Sequence, residues 1–139
     1  MSLEDKENEI IEEFAIYDDW MDKYEYIIEL GKDLPLIPSN YKTEDRKIKG
    51  CQSQVWLHAE KENDVMKFSA DSDAIITKGI IALLIRVLNN EKPEAIAKAN
   101  FRFIKEIGLQ EHLSPTRSNG LLSMIQQMKL EALKHATKS

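Results

Sequence analysis

Between Leu3 and Ile16 the apolar positions Leu3, Ile10, Ile11 and Phe14 stand in a polar background, which predicts a surface helix with a narrow buried stripe and Ser2 as its N-cap. A second helix is expected from Trp20 to about Leu30. Asp18 or Asp19 suits its cap, Gly31 its exit, and Pro35 forbids continuation. "PLIPSNYKTED" (35–45) reads as an extended connection. Next, "KIK" (47–49) and "QVWLHAE" (54–60) form a candidate strand pair about a Gly50–Cys51 turn. "KEND" (61–64) turns the chain again, and "VMKFSA" (65–70) alternates as a further strand. From 71 to 90 nearly every helical face is apolar, which places that helix at the centre of the fold. Gly79 in its interior lowers helix propensity by about 1 kcal/mol, so a close approach by another element is expected there. Pro93 opens a short helix, another runs from Phe101 to Ile107 before Gly108, and Ser114–Pro115 start the last. The stripe of that last helix is read as Leu121, Leu122, Ile125, Met128 and Leu133. Helices, then a meander of strands, then helices predict one α+β domain over 1–139, with a small antiparallel sheet of about three strands.

Composition narrows the function classes. A chain of 139 residues buries enough surface to need no disulfide or metal staple. Its 24 acidic and 19 basic side chains give a net charge of -5, which argues against a nucleic-acid binder. No apolar run approaches the roughly 20 residues that span a bilayer. The N-terminus is acidic rather than a cationic export signal, and one cysteine permits no internal disulfide, so a cytoplasmic protein is expected.

That cysteine carries the chemistry. An isolated Cys is most often a small core hydrophobe, but Cys51 follows Gly50 and precedes Gln52, Ser53 and Gln54, a polar turn. Arg46, Lys47 and Lys49 just before it would favour a thiolate if near in space; on a solvated edge they would simply discourage aggregation. Dithiol exchange needs a second Cys. A structural zinc site needs about four ligands, and only His58, His112 and His135 accompany the thiol, so no metal site is expected. A cysteine hydrolase or transferase needs a base at the thiol; His58, seven residues on, is more simply a strand residue. A solitary thiolate suits one task well. It can take the outer sulfur of another protein's persulfide and surrender it to a third thiol at the same atom.

Four blocks, "KYEYIIELGKDLP" (23–35), "IKGCQSQVWL" (48–57), "DSDAIITKGIIALL" (71–84) and "HLSPTRSNGL" (112–121), resemble the SufE sulfur-acceptor family in order and separation. Ala70 stands where many relatives carry Gly, and Ser114-Pro115-Thr116-Arg117 where they read Thr-Pro-Ser-Arg. The resemblance implies a compact α+β fold like that of the scaffold proteins of cluster assembly, without their cluster-ligating cysteines. It implies a cofactor-free accessory protein, not an enzyme by itself. Its donor would be a cysteine desulfurase that holds the pyridoxal phosphate, and its acceptor an iron–sulfur assembly scaffold. Cys51 would carry the persulfide. A monomer is expected of a shuttle that meets two partners in turn. The competing readings are a stand-alone cysteine-nucleophile enzyme and a partner-binding module that ignores the thiol.

Supporting residues follow. Arg117, near the start of the last helix, is expected to reach the Cys51 loop and steady an anionic sulfur or the loop backbone; a surface ion pair is its plainer role. Ser72 or Asp73 is expected to cap the central helix, with Asp73 also positioning the loop. Gln52, Ser53 and Gln54 either hold the loop or are solvated. Trp20 and Trp56 are read as core or partial-core packing. A resting thiol tucked against apolar neighbours and turned outward on docking would protect its sulfur.

Overall fold

The computed structural model describes residues 2–136. Helix α1 (Leu3–Ala15) begins at a reciprocal cap: the Ser2 hydroxyl accepts from the Asp5 N–H, and the Asp5 carboxylate accepts from the Ser2 N–H. Helix α2 (Trp20–Gly31) is capped by Asp19, whose carboxylate accepts from the Met21 N–H. Two short 3-10 turns, Ser39–Tyr41 and Glu44–Arg46, lead to strands β1 (Val55–Glu62) and β2 (Val65–Ser72). The strands pair antiparallel, Val55 opposite Ser72 and Glu62 opposite Val65. Their turn is only Asn63–Asp64, both at positive φ (53° and 69°), as a two-residue hairpin of native twist requires.

The architecture is α+β as expected, but the sheet has two strands rather than about three. The "KIK" segment makes a single bridge, Lys47 to Trp56, and the Ile48 N–H donates to the Val55 carbonyl at 2.8 Å. Squeezed between the 3-10 turn at 44–46 and the turn at Gly50, it has no length in which to propagate a ladder. Leu36 adds one isolated parallel bridge to Ala70 at the other edge. The inward face of the hairpin is Val55, Leu57, Met66, Phe68 and Ala70, all buried.

Helix α3 (Ile75–Leu88) is the core's spine: Ile76, Ile80, Ile81, Leu83, Leu84, Ile85, Val87 and Leu88 are all buried, while Ile75 at its start stands exposed. A methyl group on Gly79 would lie 2.1 Å from the Ile27 carbonyl oxygen, and one on Gly31 would lie 2.9 Å from the Gly79 nitrogen. The two glycines therefore let α2 and α3 cross backbone to backbone, the close approach expected from Gly79. The expected cap is not formed. Ala74 occupies the cap position; the Ser72 hydroxyl accepts from the Ala74 N–H, and Asp73 turns away to the Cys51 loop.

Short helices α4 (Pro93–Lys98), α5 (Arg102–Glu106) and α6 (Leu109–His112) wrap one side, and α7 (Pro115–Ala136) packs across the sheet and α4. Its buried line is Leu121, Met124, Met128 and Ala132, with Ile125 half-buried. Leu122 and Leu133, expected inside, are 44% and 48% exposed. At about 100° per residue, a stripe set by Leu121 passes through 124, 128 and 132 and leaves 122 and 133 on the far side.

Candidate functional site

Cys51 sits where the loop after Gly50 meets the first turns of α7. Gly50 has φ +91°, and a methyl group there would lie 2.5 Å from the Ser123 hydroxyl. The thiol donates to the Gly120 carbonyl at 3.6 Å, and a methyl on Gly120 would fall 3.6 Å from Sγ. Gly50 thus lets the loop lie close against α7, and at Gly120 the thiol packs at ordinary contact distance. Around Sγ is a cavity of about 80 Å³. Gln52 and Ser53 close it from the loop, Thr77 and Ile80 from α3, and Thr116, Arg117, Gly120 and Met124 from α7. About 10–15 Å³ holds one water, so the space holds several waters and has ample room for one added sulfur atom, though not for an extended substrate.

Cys51 is half-buried, and burial pushes its thiol up from the ordinary value. The preceding cations do not offset this. Arg46 donates to His58 Nδ1 and to the Thr43 hydroxyl and lies over the Tyr41 ring. Lys47 pairs with Glu44 at 2.7 Å. Lys49 is exposed.

Arg117 does reach the site. Its N–H donates to the Ser114 hydroxyl at the start of the helix, the residue lines the cavity, and its guanidinium Nη1 donates to the Tyr24 hydroxyl at 3.2 Å. Gln52 lines the cavity as well. Asp73 stands one step back: its carboxylate accepts from the Gln54 N–H at 3.0 Å, and its own N–H donates to the Gln54 carbonyl at 3.3 Å. This two-point clasp ties the loop's far end to the start of α3. Trp56 is half-buried under Lys42, whose Nζ lies 4.4 Å from the ring centre, and Trp20 stacks on His112 at 4.4 Å.

No histidine joins the thiol. His58 accepts from Arg46 and stacks on Tyr41 at 4.1 Å; His112 and His135 bond the carbonyls of Gly108 and Glu131. Among the described residues no three His, Cys, Asp or Glu side chains converge on a metal position. Tyr24, Thr77, Gly120, Ser123 and Met124 escaped the sequence reading. Only Gly120 carried a signal: a glycine one turn into a helix costs stability unless something packs against it.

The Sγ environment thus offers a half-buried thiol with Arg117 among the residues lining its cavity and, among the described residues, no histidine beside it and no cluster of metal-binding side chains. Comparisons with known proteins identify the family. The family model described as "Fe-S metabolism associated domain" (SufE) matches residues 8–132. An uncharacterized SufE-like protein of Rhizobium meliloti (strain 1021) is 42% identical over 130 residues, covering 90% of this chain and 93% of the relative. SufE-like protein 1, chloroplastic/mitochondrial, of Arabidopsis thaliana is 39% identical over 133 residues, 94% of this chain but 36% of that longer protein. The solution structure of a hypothetical protein from Thermus thermophilus superposes with a TM-score of 0.79 at 23% identity, covering 95% of this chain and 96% of that one, and so shares the fold. The chain belongs to the SufE family, proteins associated with iron–sulfur metabolism.

Proposed function

We propose that the protein is a sulfur acceptor and carrier. It takes a persulfide sulfur from a pyridoxal-phosphate-dependent cysteine desulfurase onto Cys51, stimulates the desulfurase by clearing its product, and passes the sulfur on for iron–sulfur cluster assembly. The observation that carries this reading is the thiol cavity itself. It has room for one more sulfur and walls that shield it, with no general base among its lining residues. That lining also disfavours a stand-alone hydrolase, since His58 is committed to Arg46 and Tyr41.

In the transfer, the Cys51 thiolate attacks the outer sulfur of the donor persulfide. A new S–S bond forms at Cys51, the donor's S–S bond breaks, and the donor cysteine leaves as a thiolate. The exchange is redox-neutral. Delivery repeats it with an acceptor thiol as nucleophile and Cys51 as leaving group, so no second cysteine in this chain is required. At rest, burial keeps the thiol protonated. Docking that draws the loop outward would rehydrate the sulfur, and Arg117, already at the cavity wall, would face the resulting anion. Gln52 closes the loop side, and Asp73 holds the loop's hinge through Gln54. The protein needs no cofactor of its own in this scheme and works as a monomer.

The test is mass spectrometry after incubation with a cysteine desulfurase and cysteine. One added sulfur atom on the peptide bearing Cys51 is expected, removable by dithiothreitol and absent from Cys51→Ser. No mass gain, with the desulfurase turning over, would end the carrier reading. If Cys51→Ser kept the full stimulation of the desulfurase, a thiol-independent binding role would replace it.

A further inference from the structure

Beyond the thiol site, a second surface has the features of a docking groove. It runs between the α4–α5 corner and α7, and encloses about 410 Å³. Its floor is Phe101, Ile104, Leu121 and Ile125, and Leu122 projects into it while 44% exposed. Three cations, Arg102, Lys105 and Lys129, stand around it, and no carboxylate lines it, although the chain as a whole carries a net charge of -5. Among the described residues none of these three forms an ion pair: Arg102 donates to the Asn8 amide oxygen, and Lys129 lies 5.4 Å from the centre of the Phe101 ring. Phe101 itself is held at φ +53°, a left-handed conformation that a bulky residue seldom adopts and that clusters at functional positions.

We infer that this groove seats an acidic amphipathic helix of a partner protein, its apolar face on Leu122 and the floor and its carboxylates against Arg102, Lys105 and Lys129. The shape favours a helix over a membrane, because a concave apolar floor receives a ridge and a flat bilayer cannot fill it. The wall from Leu121 to Lys129 is about 12 Å long, two helical turns, the span over which a docked helix presents anchors at i, i+4 and i+7. Charge complementarity selects the sign: a basic rim on an acidic protein attracts an acidic segment and repels a basic one. The site is distinct from the thiol cavity yet adjoins it, since Gly120, which holds the thiol, immediately precedes Leu121. A helix seated there would bear on the turns of α7 that keep Cys51 in place.

The probe is a fluorescein-labelled synthetic helix with leucines at i, i+3, i+4 and i+7 and glutamates elsewhere, compared with an isomer carrying lysines for the glutamates. Fluorescence anisotropy should show saturable binding of the acidic peptide, weakening with added salt, and binding of the basic isomer at least about tenfold weaker. Leu122→Asp, and Lys105→Glu combined with Lys129→Glu, should each lower affinity about tenfold or more while circular dichroism and Tm show an intact fold. Cys51→Ser should bind as the parent protein does, so loss of sulfur transfer and loss of docking are read separately. Equal binding of both peptides, or binding insensitive to the groove variants, would overturn the inference. So would a Leu122-dependent dimer in sedimentation, which gives the groove to a second copy, or preferential binding to phosphatidylserine vesicles.

Discussion

Gly50→Ala tests what holds the thiol loop in place. Two costs are expected. Backbone at φ +91° is open to glycine, whereas a residue with a Cβ loses about 1–2 kcal/mol in the left-handed region. The new methyl would also lie 2.5 Å from the Ser123 hydroxyl and 3.4 Å from its Cβ. The hydroxyl is the free end of a short side chain, so a rotamer change relieves most of that clash for about 1 kcal/mol. Alanine's smaller unfolded-state entropy returns about 0.4–1 kcal/mol. The backbone cost therefore dominates, and the net destabilisation is about 1–2 kcal/mol. For a domain of this size that lowers Tm by about 3–8 °C in a calorimetric or circular-dichroism melt. Because the strain falls on the Cys51 loop, alkylation of the thiol by a bulky maleimide should accelerate at the same time. Adding Ser123→Ala should recover about 1 kcal/mol, the rotamer cost, and leave the backbone cost in place. Full recovery would show that the clash, not the backbone, was decisive. An unchanged Tm together with unchanged alkylation would refute the account of the loop.

Other substitutions probe the remaining links. Gly120→Ala should leave stability unchanged or raise it by up to about 1 kcal/mol through helix propensity, since its methyl meets Sγ at an ordinary 3.6 Å. It also takes up cavity space, so persulfide accumulation at Cys51, followed by mass spectrometry, should slow. Gly79→Ala should cost about 3 kcal/mol or more in urea unfolding, because a contact of 2.1 Å with the Ile27 carbonyl forces α2 from α3; a neutral outcome would deny the backbone crossing. Arg117→Ala should keep the fold and slow sulfur acceptance, and Tyr24→Phe, which frees the guanidinium from its 3.2 Å partner, should give a smaller slowing in the same single-turnover assay. Burial raises the Cys51 thiol above its unfolded value of about 8.5, so the stability this contributes is complete below that pH and disappears as pH climbs through the folded pKa. The parent protein should therefore lose more stability than Cys51→Ser between about pH 8 and pH 10, as measured by urea midpoints.

Local rules already carried much of this molecule. Ser2 and Asp19 as helix caps, the two-strand hairpin with its alternating inward face, and the largely apolar α3 follow from short-range chemistry that tertiary contacts did not override. Cys51 and Arg117 were legible too, by elimination for the thiol and by motif for the guanidinium, and the fold places both at one cavity. Misreadings arose where a local pattern allowed two outcomes. "KIK" has strand character but too little room between turns. Leu122 and Leu133 are as hydrophobic as Leu121, and only the direction in which α7 packs decides which are covered. Asp73 looks like a helix cap until the Gln54 backbone competes for it.

By itself the sequence settled composition, the broad order of elements and the presence of one cysteine in a polar turn, because these depend on neighbours along the chain. Tertiary structure alone decided that the sulfur rests against Gly120, 69 positions away, with its pKa raised and with Arg46 and Lys47 engaged by other partners. Desolvation and contact distance are properties of what surrounds an atom in space. They come into being only when α3, α7 and the loop meet around that thiol.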